Sequence, residues 1–202
     1  RLLITGHYDT KLYRQFRFVG ANDAGSSAAF LIELARVLKD RKNPLTIELV
    51  FFDGEEATLP NWDSATTDHT YGSRYYAQTA KRTGDLARIK AMILVDMIGD
   101  RNLNIRRESY STSWMTDIIW ATARSAGYGD NFPNDAMAVE DDHKPFLDVG
   151  VPAVDIIDLD YAPWHTAEDT LDKVSARSIE VVGRTLVAAL PKIESRLLTP
   201  AR

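Results

Sequence analysis

Apolar runs of strand length alternate along the chain with segments that show the periodicity of amphipathic helices. The apolar runs lie at residues 1–9, 45–53, 91–100 and 151–158. The helical patterns lie at residues 26–40, 71–82 and 111–127, and a last one begins near Ser175. Nearly continuous apolar strands are typical of a sheet that is covered on both faces. The alternation therefore predicts an α/β fold: a three-layer α/β/α sandwich with a mixed, mostly parallel central sheet.

The last helical pattern carries a start signal and an internal interruption. Ser175 is a good N-cap because its hydroxyl can accept a hydrogen bond from a free backbone N–H of the first turn. Apolar side chains then recur at helical spacing, at Ile179, Val182, Leu186, Leu190, Ile193 and Leu197. Pro191 falls inside this pattern and is expected to kink the helix.

The chain has 202 residues, which suits one domain with a hydrophobic core. It contains no internal repeat, low-complexity tract or linker, so residues 1–202 are predicted to form a single domain. The sequence opens inside a predicted strand, and we therefore expect further N-terminal elements to precede it. An exposed sheet edge or an exposed apolar surface is then expected where those elements would pack.

Composition and charge narrow the possible partners. Hydrophobic residues make up 45% of the chain and charged residues 26%, as in ordinary globular proteins, and no apolar run approaches the roughly 18 residues of a membrane helix. The net charge of −5 argues against nucleic acid or an anionic membrane surface, because both attract basic proteins. Cysteine is absent, so disulfides and thiolate metal sites are excluded.

Histidine and carboxylate residues recur where the predicted strands end. In chain order these residues are His7, Asp9, Asp23, Glu55, Glu56, Asp96 and His165. Ligands of open α/β sheets bind beyond the carboxyl ends of the strands, so these side chains are expected to meet at one edge. Imidazole and carboxylate groups together form the ligand set of catalytic zinc sites. The pattern therefore predicts a zinc site.

Each of these residues also has a simpler interpretation. Asp23 alone fits a helix N-cap, and Asp96 alone fits a buried acid that accepts backbone hydrogen bonds. The adjacent glutamates, Glu55 and Glu56, fit a solvated loop pair, although like charges repel. A metal dication makes such a pair tolerable. In that interpretation Glu56 is a ligand, and Glu55, whose side chain diverges from it, is the general base.

The order of motifs resembles a known family. The stretches are GHYDT, FVGANDAGSSAAFLIELAR, FFDGEEA, ILVDMIG, DDHKPFLDVGVPA and HTAEDT, and together they resemble the M28 zinc peptidase superfamily. The FFDGEEA stretch followed by YGSR, Asp141 before DH, and Trp164 directly before His165 are similar to its glutaminyl cyclase branch. The resemblance runs from His7 to about Val182 and implies the α/β fold of zinc exopeptidases.

The resemblance implies a metal centre and a base. The single catalytic zinc of a cyclase would be bound by Asp23, Glu56 and His165. Glu55 would be the acid/base. In a two-zinc aminopeptidase, His7 and Asp96 would join Asp23 to hold a second ion, so one zinc is expected for a cyclase and two for an aminopeptidase.

The resemblance also implies the walls of the substrate pocket. Asp96 and Asp141 would form a hydrogen-bonded carboxylate pair beside the base. Trp62 and Trp164 would enclose the substrate side chain. Glu140 would occupy a pocket position at which the animal cyclases carry glutamine.

The implied function is conversion of an N-terminal glutamine to pyroglutamate with release of ammonia. The alternatives are an aminopeptidase, in which metal-activated water hydrolyses the N-terminal residue, and a non-catalytic binding domain. A binding domain would be expected to lack a ligand or the base, and none of them is missing. Peptide or protein N-termini are the expected partners, and the resemblance implies a secreted or periplasmic location.

Overall fold

The computed structural model describes residues 1–60, 62 and 65–199. The strands are β1 (Leu2–His7), β2 (Ile47–Phe52), β3 (Ala91–Asp96), β4 (Arg107–Glu108), β5 (Ala136–Met137) and β6 (Ala153–Ile157). The helices are α1 (Gly25–Leu38), α2 (Tyr71–Thr83), α3 (Ser113–Ser125), α4 (Lys144–Asp148) and α5 (Ala176–Leu198). Four strands form the central sheet in the order β2-β1-β3-β6, and every neighbouring pair is parallel.

Successive residues of the sheet pack on opposite faces, as the period of two in a strand requires. In β1, Leu2 and Ile4 contact one apolar cluster, which contains residues of α1, α3 and α5. Leu3, between them, contacts a second cluster, which contains residues of α2 and α4. Helices therefore cover both faces of a parallel sheet, and the predicted three-layer sandwich is confirmed.

The long elements form where the sequence predicts them, with shifted ends. The third apolar run stops being a strand at Asp96, because Met97 has a φ of 45° and leaves the extended conformation. Ser175 is the N-cap of α5, and its hydroxyl accepts a hydrogen bond from Ser178 N at 3.4 Å. Helix α5 continues past Pro191 to Leu198. The two-residue strands β4 and β5 and the short helix α4 had no predicted counterpart.

One edge of the sheet is formed by β2. Among the described residues, no strand pairs with its outer side. Phe51 on β2 is 40% exposed, and the preceding residues of the strand, 47–50, are partly buried. The described part of the chain thus leaves this edge of the sheet unpaired. None of its helices has the length and apolar character that a transmembrane span requires.

The sheet order brings the functional loops together. All four central strands point the same way, so the segments that follow β1, β2, β3 and β6 emerge at one edge. The predicted histidine and carboxylate residues lie on these segments. The parallel topology therefore assembles the site described next.

Candidate metal-binding active site

Two overlapping groups of three side chains meet at the carboxyl edge of the sheet. The inner trio is His7, Asp23 and Asp96, and the outer trio is Asp23, Glu56 and His165. Within each trio, one ligand atom from each residue lies within 4.8 Å of the others. Asp23 belongs to both trios, so its two carboxylate oxygens link them.

The distances show how Asp23 joins the two histidines. Asp23 Oδ1 lies 3.2 Å from His7 Nε2, and Asp23 Oδ2 lies 3.3 Å from His165 Nε2. His7 Nε2 is also 3.2 Å from Asp96 Oδ1, and His165 Nε2 is 3.1 Å from Glu56 Oε1. Asp23 does not cap α1, because the N-cap is Ala24 and no side-chain bond is made there. The structure thus favours the ligand interpretation of Asp23 over the simpler one.

The charges of these groups stabilise one another. Burial alone would raise the pKa of Asp23, but its hydrogen bonds with His165 and His7 hold that pKa below the usual range of a carboxyl. Burial would lower the pKa of His165, yet its contacts with Asp23 and Glu56 raise it to about 9. A divalent cation can take the place of these protons, since carboxylates and imidazoles are the donors that zinc prefers. The residues present therefore fit a zinc site.

The adjacent glutamates are held by backbone hydrogen bonds. Gly54 precedes them with a φ of 67°, a left-handed conformation that glycine adopts at little cost. Asp9 accepts hydrogen bonds from Glu55 N at 3.1 Å and from Glu56 N at 3.2 Å. On the other side, Thr70 N donates to Glu55 O at 2.8 Å. The turn is therefore fixed from both sides, and the two carboxylates are held at the edge of the sheet.

Asp169 holds the segment that carries Asp23, a role that sequence reasoning missed. Its carboxylate accepts hydrogen bonds from Asn22 N at 2.9 Å, from Asp23 N at 3.1 Å and from Tyr161 Oη at 2.8 Å. Asp169 is fully buried. The only sequence signal was its place in the HTAEDT stretch, four residues after His165. One carboxylate thus orients the backbone of the shared ligand.

Replacing Asp169 by asparagine should weaken zinc binding by about 10- to 100-fold, the usual effect of losing an outer-shell partner. The amide can accept only one of the two backbone hydrogen bonds that fix the segment before α1. Zinc affinity would be measured by competition with a chromophoric chelator. Glu168→Gln is the matched control, because Glu168 is the exposed neighbour. Unchanged affinity in Asp169→Asn would show that the segment holds its position without this carboxylate.

Glu55 lies among buried carboxyl groups. Burial raises the pKa of Glu55 well above its usual value, and the charges of Asp141, Asp142 and Glu56 add to this effect while His7 opposes it. Burial likewise raises the pKa of Asp141, and the negative charge of Asp96 is the next contribution. Asp141 and Asp96 both line the same cavity, but no hydrogen bond joins them, because Asp141 Oδ1 accepts from Asp142 N and Asp141 Oδ2 has no partner among the described residues.

A cavity of about 290 Å³ opens in front of these groups. It is lined by all three residues of the outer trio and by Glu55, Asp96, Glu140 and Asp141. Its apolar walls are Trp62, Met97, Val139, Ile157, Leu159 and Trp164. His7 does not line the cavity and is fully buried, so this member of the inner trio lies behind the residues that face the cavity.

Aromatic rings surround His165. The Trp164 ring stacks on it with centroids 4.3 Å apart and an interplanar angle of 26°. Tyr13 and Phe18 approach it edge-on, each with a centroid distance of 6.0 Å. His165 itself has a φ of 56°, in the left-handed region. The imidazole is thus held in place by packing as well as by its carboxylate partners. Tyr13 and Phe18 had not been predicted to lie here.

A sequence model of Peptidase family M28 matches residues 1–190. The chain belongs to peptidase family M28. Its M28 fold superposes on the crystal structure of an Acidobacteriales bacterium glutaminyl cyclase with a TM-score of 0.91 and 42% sequence identity. That match covers 96% of this chain and 69% of the other. The resemblance that the motifs indicated is confirmed.

Two further relatives of this M28 chain are named for different activities. The chain is 31% identical over 194 residues to a glutaminyl-peptide cyclotransferase of Drosophila melanogaster. The aligned region covers 83% of this chain and 54% of the relative. It also matches the structure of a leucine aminopeptidase precursor from Bacteroides thetaiotaomicron, with a TM-score of 0.81 and 25% sequence identity. That match covers 94% of this chain and 71% of the other. The chain thus spans about half the length of the Drosophila relative.

Proposed function

We propose that this protein is a zinc-dependent glutaminyl cyclase that converts an N-terminal glutamine to pyroglutamate and releases ammonia. The observation that supports the proposal is the cavity, which is lined by Glu55, the outer trio, Trp62 and Trp164. The similarity to glutaminyl cyclases supports the same reaction.

The outer trio is the proposed holder of the catalytic zinc, because all three of its residues line the cavity. A zinc ion held there would act as a Lewis acid that polarises the carbonyl group of the substrate's γ-amide. Asp23, Glu56 and His165 supply the two carboxylates and one imidazole for this ion.

Glu55 is the proposed proton carrier. The α-amine of the substrate attacks the carbon of the γ-amide, and a new C–N bond closes a five-membered ring. Glu55 takes a proton from the attacking nitrogen and gives it to the departing nitrogen, so the C–NH₂ bond breaks and ammonia leaves. The nucleophile belongs to the substrate itself, so the main task of the pocket is to orient the ring closure.

The pocket walls suit this orientation. Trp62 and Trp164 line the cavity and would present flat apolar surfaces to a small amide side chain. Trp164 is 41% exposed, so its ring lies at the rim of the cavity. Asp141 and Asp96 lie at the inner wall, where a protonated carboxyl of the pair can donate a hydrogen bond to the substrate.

The second candidate function is an aminopeptidase, in which Glu55 activates a water molecule that attacks the scissile carbonyl. The presence of the inner trio favours this alternative, because a two-metal site needs His7 and Asp96.

Paired assays on the full-length, zinc-loaded protein separate the two reactions. We expect ammonia release from Gln-initiated dipeptides and little free amino acid from Leu- or Ala-initiated ones, because two tryptophans line a cavity of only about 290 Å³. Ammonia and free amino acid would be measured in the same reaction mixtures. Rapid leucine release without ammonia would establish the aminopeptidase instead.

A further inference from the structure

Trp62 is supported from behind by another ring. Its indole stacks on the imidazole of His69, with centroids 4.0 Å apart and an interplanar angle of 26°. Trp62 lines the cavity, whereas His69 does not line it and is only 7% exposed. The histidine therefore lies under the face of the indole that is turned away from the substrate.

His69 is itself fixed to the backbone of the active site. Its Nδ1 lies 3.1 Å from Thr70 Oγ1, and its carbonyl oxygen accepts a hydrogen bond from Arg74 Nη2. Thr70 N in turn donates to Glu55 O at 2.8 Å. The support of Trp62 is thus connected, through one residue, to the backbone of the proposed base.

The segment between β2 and α2 is also closed on itself. Asp68 accepts hydrogen bonds from Thr58 Oγ1 at 2.6 Å, from Leu59 N at 2.7 Å and from Tyr71 Oη at 2.8 Å. These bonds tie the residues just after the glutamate pair to those just before α2. His69 is therefore held at a defined distance from the cavity.

We propose that His69 is a positioning residue that holds the Trp62 ring against the substrate cavity, so that the stacked pair sets the width of the pocket. The inference rests on the proposed function, because the pocket is the one assigned to the glutamine side chain. It adds a residue that contacts neither the substrate nor the metal ligands. A flat carboxamide would enter between the two tryptophans only while the Trp62 ring is held in place.

The chemistry of His69 suits this role. Burial lowers the pKa of its imidazole, the positive charge of Arg74 lowers it further, and Glu140 and Asp68 oppose these effects. The imidazole is therefore uncharged at neutral pH and can stack on the Trp62 indole as a neutral aromatic ring. Aromatic stacking of this kind stabilises one ring geometry beyond the simple burial of area.

The kinetic test compares variants that keep or remove the ring. His69→Ala should raise KM for a Gln-initiated dipeptide by about 2- to 12-fold, the effect expected of one aromatic pair, with kcat nearly unchanged. His69→Phe keeps a planar ring and should restore most of the lost affinity. In a Trp62→Ala background, His69→Ala should have little further effect. Tyr75→Ala, which removes a 73% exposed ring from α2, is the matched control.

A readout without substrate separates this inference from the proposed function. The fluorescence of Trp62 is obtained as the difference between each protein and its Trp62→Phe counterpart, and its quenching by acrylamide reports the accessibility of the ring. Quenching should increase in His69→Ala and return toward the native value in His69→Phe. Increased quenching in a protein that releases no ammonia would support the positioning role and overturn only the cyclase proposal.

Three results would overturn the role of His69. The first is unchanged quenching and unchanged KM in a folded His69→Ala variant. The second is an equal effect of His69→Ala with and without Trp62. The third is a His69→Phe variant whose circular dichroism spectrum shows that it is folded, but whose quenching and KM are those expected of a protein without the stacked pair. If His69→Ala does not fold, the His69→Phe variant decides the question.

Discussion

Glu55→Gln should lower kcat for glutamine cyclisation by about 10²- to 10⁴-fold and leave the zinc content nearly intact. Glutamine has the size of glutamate and cannot accept and return a proton. The turn that carries it is held by backbone hydrogen bonds to Asp9 and Thr70, and these do not depend on the Glu55 side chain. The variant therefore removes the proton carrier and keeps the geometry. Single-turnover ammonia release and zinc analysis of the same sample would measure both quantities.

The control for this variant is Glu168→Gln, in which the same chemical change is made on an exposed side chain beyond the cavity. It should retain native turnover. Loss of zinc from the Glu55→Gln protein would show that the roles of the two glutamates are reversed, with Glu55 as the zinc ligand and Glu56 as the base. Native turnover with zinc in place would remove Glu55 from the mechanism.

Asp23→Asn should abolish stoichiometric zinc binding and lower turnover by at least about 100-fold. Asp23 contacts His7 and His165, through a different oxygen in each case. An amide nitrogen in place of either oxygen cannot bind a cation. It also cannot accept a hydrogen bond from an imidazole N–H. Mass spectrometry of the metal content, together with an activity assay in added zinc, would measure the loss.

His7→Gln is the comparison that locates the ion. His7 lies in the inner trio only and does not contact the cavity. Its replacement should leave about one zinc per chain, in the outer trio, if the site holds the single ion of a cyclase. Two ions in the native protein, one of which is lost in His7→Gln, would favour the aminopeptidase. Asp23→Asn with native zinc content would contradict the assignment of both trios.

The sequence was sufficient for the layers of the fold and for the grouping of histidine and carboxylate side chains at one edge of the sheet. Long apolar strands such as β1 and β3 carry a strong signal, and parallel strands bring their carboxyl ends to one edge. His7, Glu56 and His165 could therefore be grouped before any coordinates were known. The assignment of the outer trio to a catalytic ion stays a prediction, as does the role of Glu55.

The remaining features depend on contacts that have no local pattern. Asp169 reaches Asn22 across 147 positions of sequence, and no periodicity connects them. His69 supports Trp62 because of a loop whose path is set by side-chain hydrogen bonds from Asp68. Elements as short as β4 and α4 are too brief to show a period of two or 3.6 residues.

The shared carboxylate of Asp23 has a consequence for how such a site can change its chemistry over evolutionary time. Substitutions at His7 or Asp96 alter the inner trio and leave the outer trio chemically complete, whereas a substitution at Asp23 damages both. A lineage can therefore change from a two-ion to a one-ion centre by mutating His7, which lies outside the cavity, and keep every residue that faces the substrate. Laboratory conversion between ring closure and hydrolysis should begin at the same position.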